Sequence, residues 1–229
     1  MPRRRFDILD AWRSLAVVLM LIYHFLFDLY IFGVMTAPQL FSTPLNIMQK
    51  FICCSFIFLA GMSARFSRSN LRHGLLVLLA GAVVETGALV GGQIIRFGIL
   101  MFMGTAMVLY HIAGRFLQKI PSVLSAAGYA VLFFLTGFWT AQVRVSAGWL
   151  YPLGFMSPGF YSADYFPLFP WLFLFLTGTV FGGMCLEHPS NRLLSVPLPK
   201  AVTWPGRHSL LVYVLHQPVL YGISYLIWG

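Results

Sequence analysis

Residues 12–33 read WRSLAVVLMLIYHFLFDLYIFG, from Trp12 to Gly33. Between Arg13 and His24 only Tyr23 is ionisable, and the run has the length of about 20 largely apolar residues that a helix needs to cross a bilayer. The rest of the chain repeats this signature. Of its 229 residues 59% are hydrophobic and 9% are Asp, Glu, Lys or Arg, against roughly a quarter charged in soluble domains. So little polar surface excludes a soluble enzyme, a zinc module or a nucleic-acid-binding domain.

Reading between charges gives seven candidate spans, near 12–33, 47–65, 73–93, 97–113, 122–139, 167–184 and 208–228. Pro38 and Pro44, Ser67 to Asn70, Pro121, Pro158 and the stretch from Pro189 to Pro205 punctuate them. The expected fold is an all-α polytopic membrane helix bundle of about seven transmembrane helices, with residues 1–229 forming a single integral membrane domain. Arg3, Arg4 and Arg5 precede the first span, but no short apolar region with a small-residue cleavage site follows, so an uncleaved first helix is expected. Cys53, Cys54 and Cys185 have no spacing that suggests a disulfide framework or a thiol metal site.

Basic residues fix the expected orientation. One side collects Arg3, Arg4, Arg5, Arg13, Arg65, Arg68, Arg72, Arg115, Lys119, Arg192, Lys200 and Arg207, which is 12; the other has Lys50, Arg96 and Arg144, which is 3. The richer side should be cytoplasmic, with the N-terminus inside and the C-terminus outside, in a multi-pass protein of the inner cell membrane. The outer loop near 140–166 is then the longest connection, and a loop of that length is usually functional or disordered. Trp139, Trp149, Trp171 and Tyr165 suit an interfacial aromatic belt. Gly81, Gly87, Gly91 and Gly92 suit small-residue helix packing.

Ionisable residues at membrane depth are costly and each asks for a reason. Arg13 and His24 are eleven positions apart, so they return to nearly one helix face about 16 Å apart along the axis. Asp28 lies one turn beyond His24, where its carboxylate can accept from one ring nitrogen and leave the other as a base. The alternative is a satisfied polar pair. Glu85 sits mid-span, with Arg96 its expected partner in an ion pair. His216 precedes Gln217 and Pro218, and lines either a wet cavity or an interhelical contact. At the start of the seventh span Arg207, His208 and Ser209 combine a cation, an imidazole and a hydroxyl with a helix N-terminus, an arrangement suited to an anion. Arg13 faces the same side, so the two spans are candidates to hold one phosphate; lipid-headgroup anchoring is the alternative. Asp164 either caps the sixth span or, with Glu85, receives a sugar hydroxyl or amine.

The run Leu9 to Arg13, the Tyr23, His24, Phe25 segment with Asp28, Phe97 to Leu100, Asp164 to Trp171 and Gly206 to Gln217 together resemble the small bacterial membrane proteins related to heparan-α-glucosaminide N-acetyltransferase, in the transmembrane acyltransferase superfamily. The spacing of Arg13 and His24 is also similar to that of membrane enzymes that O-acetylate surface polysaccharides. The resemblance implies an acyl-CoA-dependent acetyltransferase with acetyl-CoA as donor and no metal. It implies His24 as the intramembrane catalytic residue and Arg13 as its paired arginine; the reading of the residues themselves sets Asp28 and His216 beside His24, and Arg207, His208 and Ser209 with Arg13 on the donor. Asp164 and Glu85 would serve a glycan or other small acceptor; the bilayer is the other partner, nucleic acid is not, and an oligomer is compatible with the sequence. Met101 stands where related sequences often carry a histidine. A proton-coupled transporter or lipid flippase using His24, Asp28, Glu85 and His216 as a relay is the competing reading, although no inverted repeat is apparent. A structural subunit is the third.

Overall fold

The computed structural model describes residues 6–187 and 196–229; Arg3, Arg4, Arg5, Pro189 and Arg192, used above, lie outside the described residues. The chain is all-helical: α1 Asp7–Ile31, α2 Ala37–Leu40, α3 Thr43–Phe66, α4 Asn70–Val90, α5 Ile99–Leu117, α6 Ser122–Gln142, a 3-10 segment Gly148–Leu153, α7 Leu168–Glu187, α8 Lys200–Arg207 and α9 Ser209–Trp228. Among the described residues β pairing is limited to one isolated bridge, Arg144 to Met156. Seven helices, α1, α3, α4, α5, α6, α7 and α9, are long and apolar enough to cross a membrane. Leu79, Phe134, Phe138 and Leu226 are 64%, 74%, 71% and 85% exposed, a surface that lipid rather than water suits.

Three of the prolines that punctuate the spans lie inside helices, Pro38 in the first turn of the short α2, Pro44 and Pro205. Pro44 is in the first turn of α3, where its missing N–H removes no helical hydrogen bond. Pro205 lies inside α8, a short helix that replaces the expected loop ahead of the last span.

Contacts group the described chain into two units, one of residues 6–56 with 196–229 and one of Ile57–Glu187, so α3 contributes to both. In the first unit α1 packs on α8 and α9. Its cross-helix pairs rise together in number: Ser14 with Gly206, His24 with His216, Asp28 with Gln217 and Phe32 with Tyr221. α1 and α9 therefore run parallel, as a first and a seventh crossing must. Trp12 donates from Nε1 to Ser55 Oγ at 3.1 Å and ties α3 to the same helix.

In the second unit α4 and α5 form an antiparallel hairpin, as do α6 and α7, with Tyr129 on Phe173 and Phe133 on Trp171. Of the four glycines expected to pack, Gly81 alone does, against Met101; Gly87 and Gly92 face open space and Gly91 meets only its own helix. The close approaches are made instead by Gly74 with Gly104, and by Gly61 with Gly178, where a methyl on Gly61 would strike the Phe175 carbonyl and one on Gly178 the Phe58 carbonyl. Trp139 and Trp149 are exposed, as a belt requires. Trp171 packs on Phe133 and Phe166, and the Tyr165 hydroxyl donates to the Tyr151 carbonyl at 2.6 Å.

Candidate functional site

In the first unit α1 brings His24 and Asp28 opposite His216 and Gln217 of α9. The two imidazoles meet edge to face with centroids 4.5 Å apart. His216 donates from Nδ1 to the Tyr213 carbonyl at 2.5 Å. A carbonyl can only accept, so in the neutral ring Nε2 carries the lone pair. That atom is buried without a partner, and His216 as a whole is 7% exposed.

Asp28 is 0% exposed. The expected hydrogen bond between His24 and Asp28 is not formed. Instead Gln217 donates from Nε2 to Asp28 Oδ1 at 2.7 Å, and Oδ2 has no partner. One turn of spacing does put His24 and Asp28 on one face, but the Gln217 amide from α9 is in contact with both residues, so the link runs through a third side chain. Its neutral amide gave no charge signal in the sequence.

At the beginning of α1, Arg13 and Arg207 do come together, through one shared acid. Asp10 accepts from Arg13 Nη1 at 3.0 Å and from Arg207 Nε at 3.1 Å, while Asp7 accepts from Arg207 Nη2 at 2.8 Å and from the Leu198 backbone N–H at 3.2 Å. Asp7, Asp10 and Ser14 recur at helical spacing on one face of α1. The Gly206 N–H donates to Ser14 Oγ at 2.8 Å, and Ser14 Oγ donates to the Asp10 carbonyl at 3.0 Å.

The cations read as candidates to hold one phosphate are therefore matched by two carboxylates, and an anion arriving here would exchange with a carboxylate rather than fill an empty seat. Arg207 also differs in its helical setting: it ends α8, where a cation complements the helix C-terminus, rather than opening the last span. His208 joins α8 to α9, donates from Nδ1 to the Trp204 carbonyl at 2.9 Å and lies against the Trp204 ring. Ser209 is the first residue of α9.

In the second unit Glu85 and Asp164 meet at one place, the start of α5. Glu85 Oε1 accepts from the Gly98 N–H at 2.9 Å and Asp164 Oδ2 from the Ile99 N–H at 3.0 Å. The expected Glu85–Arg96 ion pair is absent among the described residues. Phe97 has φ 57°, which turns the following amides toward Glu85, and the Arg96 guanidinium lies over the Phe160 ring instead, 5.8 Å from its centroid.

Asp164 does cap a helix, but α5 rather than α7, which its sequence position suggested. Ser162, Ala163 and Phe166 hydrogen-bond to residues 94–97, which brings the Asp164 to Trp171 and Phe97 to Leu100 segments side by side. The two carboxylates accept from the orphan N–H groups of a helix start, so a structural role accounts for both.

Burial raises Asp164 from the ordinary carboxylate value to about 6; the Ile99 N–H opposes this and the nearby Glu85 carboxylate adds to it. A carboxyl raised on folding favours the protonated form. Its stabilising contribution is present below about pH 4 and is lost as pH rises through about 6, a difference of about 3 kcal/mol. Asp164→Asn keeps the acceptor for Ile99 and removes the charge. Thermal melts across this window should show wild type losing stability toward neutral pH and the variant losing much less; parallel curves would remove Asp164 as the cause.

No group of three or more His, Cys, Asp or Glu placed to hold a metal occurs among the described residues. No curated relative and no solved structure matches the chain significantly. The family described as "Heparan-alpha-glucosaminide N-acetyltransferase, catalytic" matches residues 5–218, nearly the whole chain and all five segments quoted from the sequence. A match of that extent, over a seven-helix membrane protein with paired imidazoles on its first and last spans, makes the chain a member of the heparan-alpha-glucosaminide N-acetyltransferase catalytic family.

Proposed function

We propose that the protein transfers an acetyl group from cytoplasmic acetyl-CoA to an amine or hydroxyl, on a sugar or similar small acceptor, at the outer face of the inner membrane. The observation that carries this reading is the His24–His216 pair, two imidazoles 4.5 Å apart on transmembrane helices, in a member of an acetyltransferase family. Imidazole is the side chain whose ordinary pKa best suits it to exchange a proton near neutral pH. His24 removes the acceptor's proton as its nitrogen or oxygen bonds to the thioester carbonyl carbon. The C–S bond then breaks, and the proton passes from His24 to the departing thiolate, so that CoA leaves as the thiol. His216 stands beside His24 to hold the reacting group.

Acetyl-CoA supplies the acyl group as a thioester on a long arm ending in phosphates. Arg13 and Arg207 suit those phosphates in charge and position, about one bilayer leaflet from His24 along α1, and the donor's phosphates exchange with Asp7 and Asp10 on binding. The 12-to-3 distribution of basic residues supports this end of α1 as the cytoplasmic one.

The test is the purified protein in lipid nanodiscs with acetyl-labelled acetyl-CoA and glucosamine as the probe acceptor. Acetylated glucosamine is expected in step with free CoA thiol. Absence of acetyl-CoA binding, together with a solute flux driven by a proton gradient, overturns this reading in favour of transport.

A further inference from the structure

Five buried side-chain atoms lack a hydrogen-bond partner among the described residues, and three of them lie together: Asp28 Oδ2, His216 Nε2 and Gln217 Oε1. Their roles are fixed by chemistry. Asp28 Oδ1 can accept from Gln217 only if the amide nitrogen faces it, which turns Oε1 the other way. The Tyr213 carbonyl holds the hydrogen on His216 Nδ1, which leaves Nε2 as an acceptor. A carboxylate oxygen, an amide oxygen and an imidazole lone pair are all acceptors, and none of the three meets a donor at hydrogen-bonding distance among the described residues.

Residues that served only to join α1 to α9 would satisfy one another, because a buried unpaired acceptor is costly. This patch is instead complementary to a group bringing O–H or N–H bonds, and it lies beside His24. We propose that Asp28 Oδ2, Gln217 Oε1 and His216 Nε2 form the seat for the nucleophilic O–H or N–H group of the acetyl acceptor, with Gln217 the residue that selects for a donor-bearing group. The proposal rests on the acetyl-transfer reading and adds to it a residue that neither charge nor the catalytic roles above single out. Through its bond to Asp28 Oδ1 Gln217 also fixes which carboxylate oxygen is left for the acceptor.

The experiment compares wild type with Gln217→Met, which keeps the side-chain length and removes the amide, in nanodiscs. Glucosamine affinity is measured without acetyl-CoA, and KM for each substrate is measured with both. In Gln217→Met the glucosamine Kd and KM should rise about tenfold or more, as loss of a buried hydrogen bond to a substrate donor implies. The acetyl-CoA KM should stay within twofold, and Val219→Leu on the exposed side of α9 should leave all three values unchanged. If Gln217→Met does not accumulate as folded protein, Gln217→Asn replaces it, with a rise of about threefold expected from the shortened reach. Unchanged glucosamine affinity in the variant, or no glucosamine binding by wild type, overturns the seat even if acetyl transfer is observed. Weakened binding in the variant with no transfer by any protein supports the seat and overturns the acetyl-transfer reading.

Discussion

Replacing His24 by alanine is expected to lower kcat for acetyl transfer by a factor of about 10²–10⁴, the range that a positioned acid–base group contributes, while leaving the acetyl-CoA KM within about threefold. The split follows from distance. His24 is fourteen residues beyond Asp10 on α1, about 21 Å along the axis, so the Asp7, Asp10, Arg13 and Arg207 cluster is untouched by the substitution. Without the His24 imidazole, the acceptor's proton loses the group that takes it up and delivers it to the departing thiolate, so both halves of the transfer slow.

His216→Ala should also be slow, and the double variant no slower than the worse single one, because two groups that act on one proton transfer are not additive. Folding should survive. His24 is half-buried and its backbone bonds within α1 survive the substitution, so the loss is of packing against His216 and contact with Gln217. A His24→Ala protein that melts like wild type and retains more than a tenth of its kcat would remove His24 from the chemistry. A proton relay for transport predicts a different result, since the variant would lose flux while acetyl-CoA turnover was never present.

Seven spans were legible because a membrane helix is a one-dimensional signal: a window of apolar residues long enough to cross the bilayer. Span ends shifted by a few residues where helices continue into the interface, as at Asp7 and Thr43. Partners across helices were not legible, because they depend on which face of each helix meets its neighbour. Helices apolar all round carry little record of that. For this reason Gly81, Gly87, Gly91 and Gly92 were equivalent in the sequence although Gly81 alone packs, while Gly61, Gly74, Gly104 and Gly178 passed unnoticed.

The candidate residues were legible through their cost: a charge at membrane depth stands out wherever it points. Their bonds were not. Glu85 was assigned to Arg96 because opposite charges at one depth attract, yet a backbone N–H presented by the turn at Phe97 satisfies it. His24 was assigned to Asp28 because the two are near in sequence, yet Gln217, remote by 189 positions, holds the carboxylate. Asp7 and Asp10 lay in plain sight at the start of α1; their pairing with Arg207 required the α1–α8 contact, which no periodicity encodes.

Gly206→Ala is expected to destabilise the protein by about 1–3 kcal/mol through overpacking and to raise the acetyl-CoA KM about tenfold or more. A methyl at position 206 would strike the Asp10 carbonyl and crowd Ser14 Oγ. The obstacle is backbone of α1, which cannot rotate aside as a flexible side chain would, so α8 has to move away. That displacement breaks the bond from the Gly206 N–H to Ser14 Oγ and pulls Arg207, the next residue, off Asp7 and Asp10. The cation assigned to the donor's phosphates is thereby misplaced without any charge being changed, which separates position from net charge as the cause. Arg207→Lys supplies the complementary case: it keeps the charge and the backbone but cannot reproduce the guanidinium's paired bonds to phosphate, so it should weaken donor binding with little loss of packing. Gly222→Ala, in α9 where an added methyl meets nothing within 4 Å, should leave KM unchanged and gain up to about 1 kcal/mol from helix propensity. If Gly206→Ala binds acetyl-CoA as wild type does while melting earlier, the α1–α8 contact is structural and the phosphates are held elsewhere.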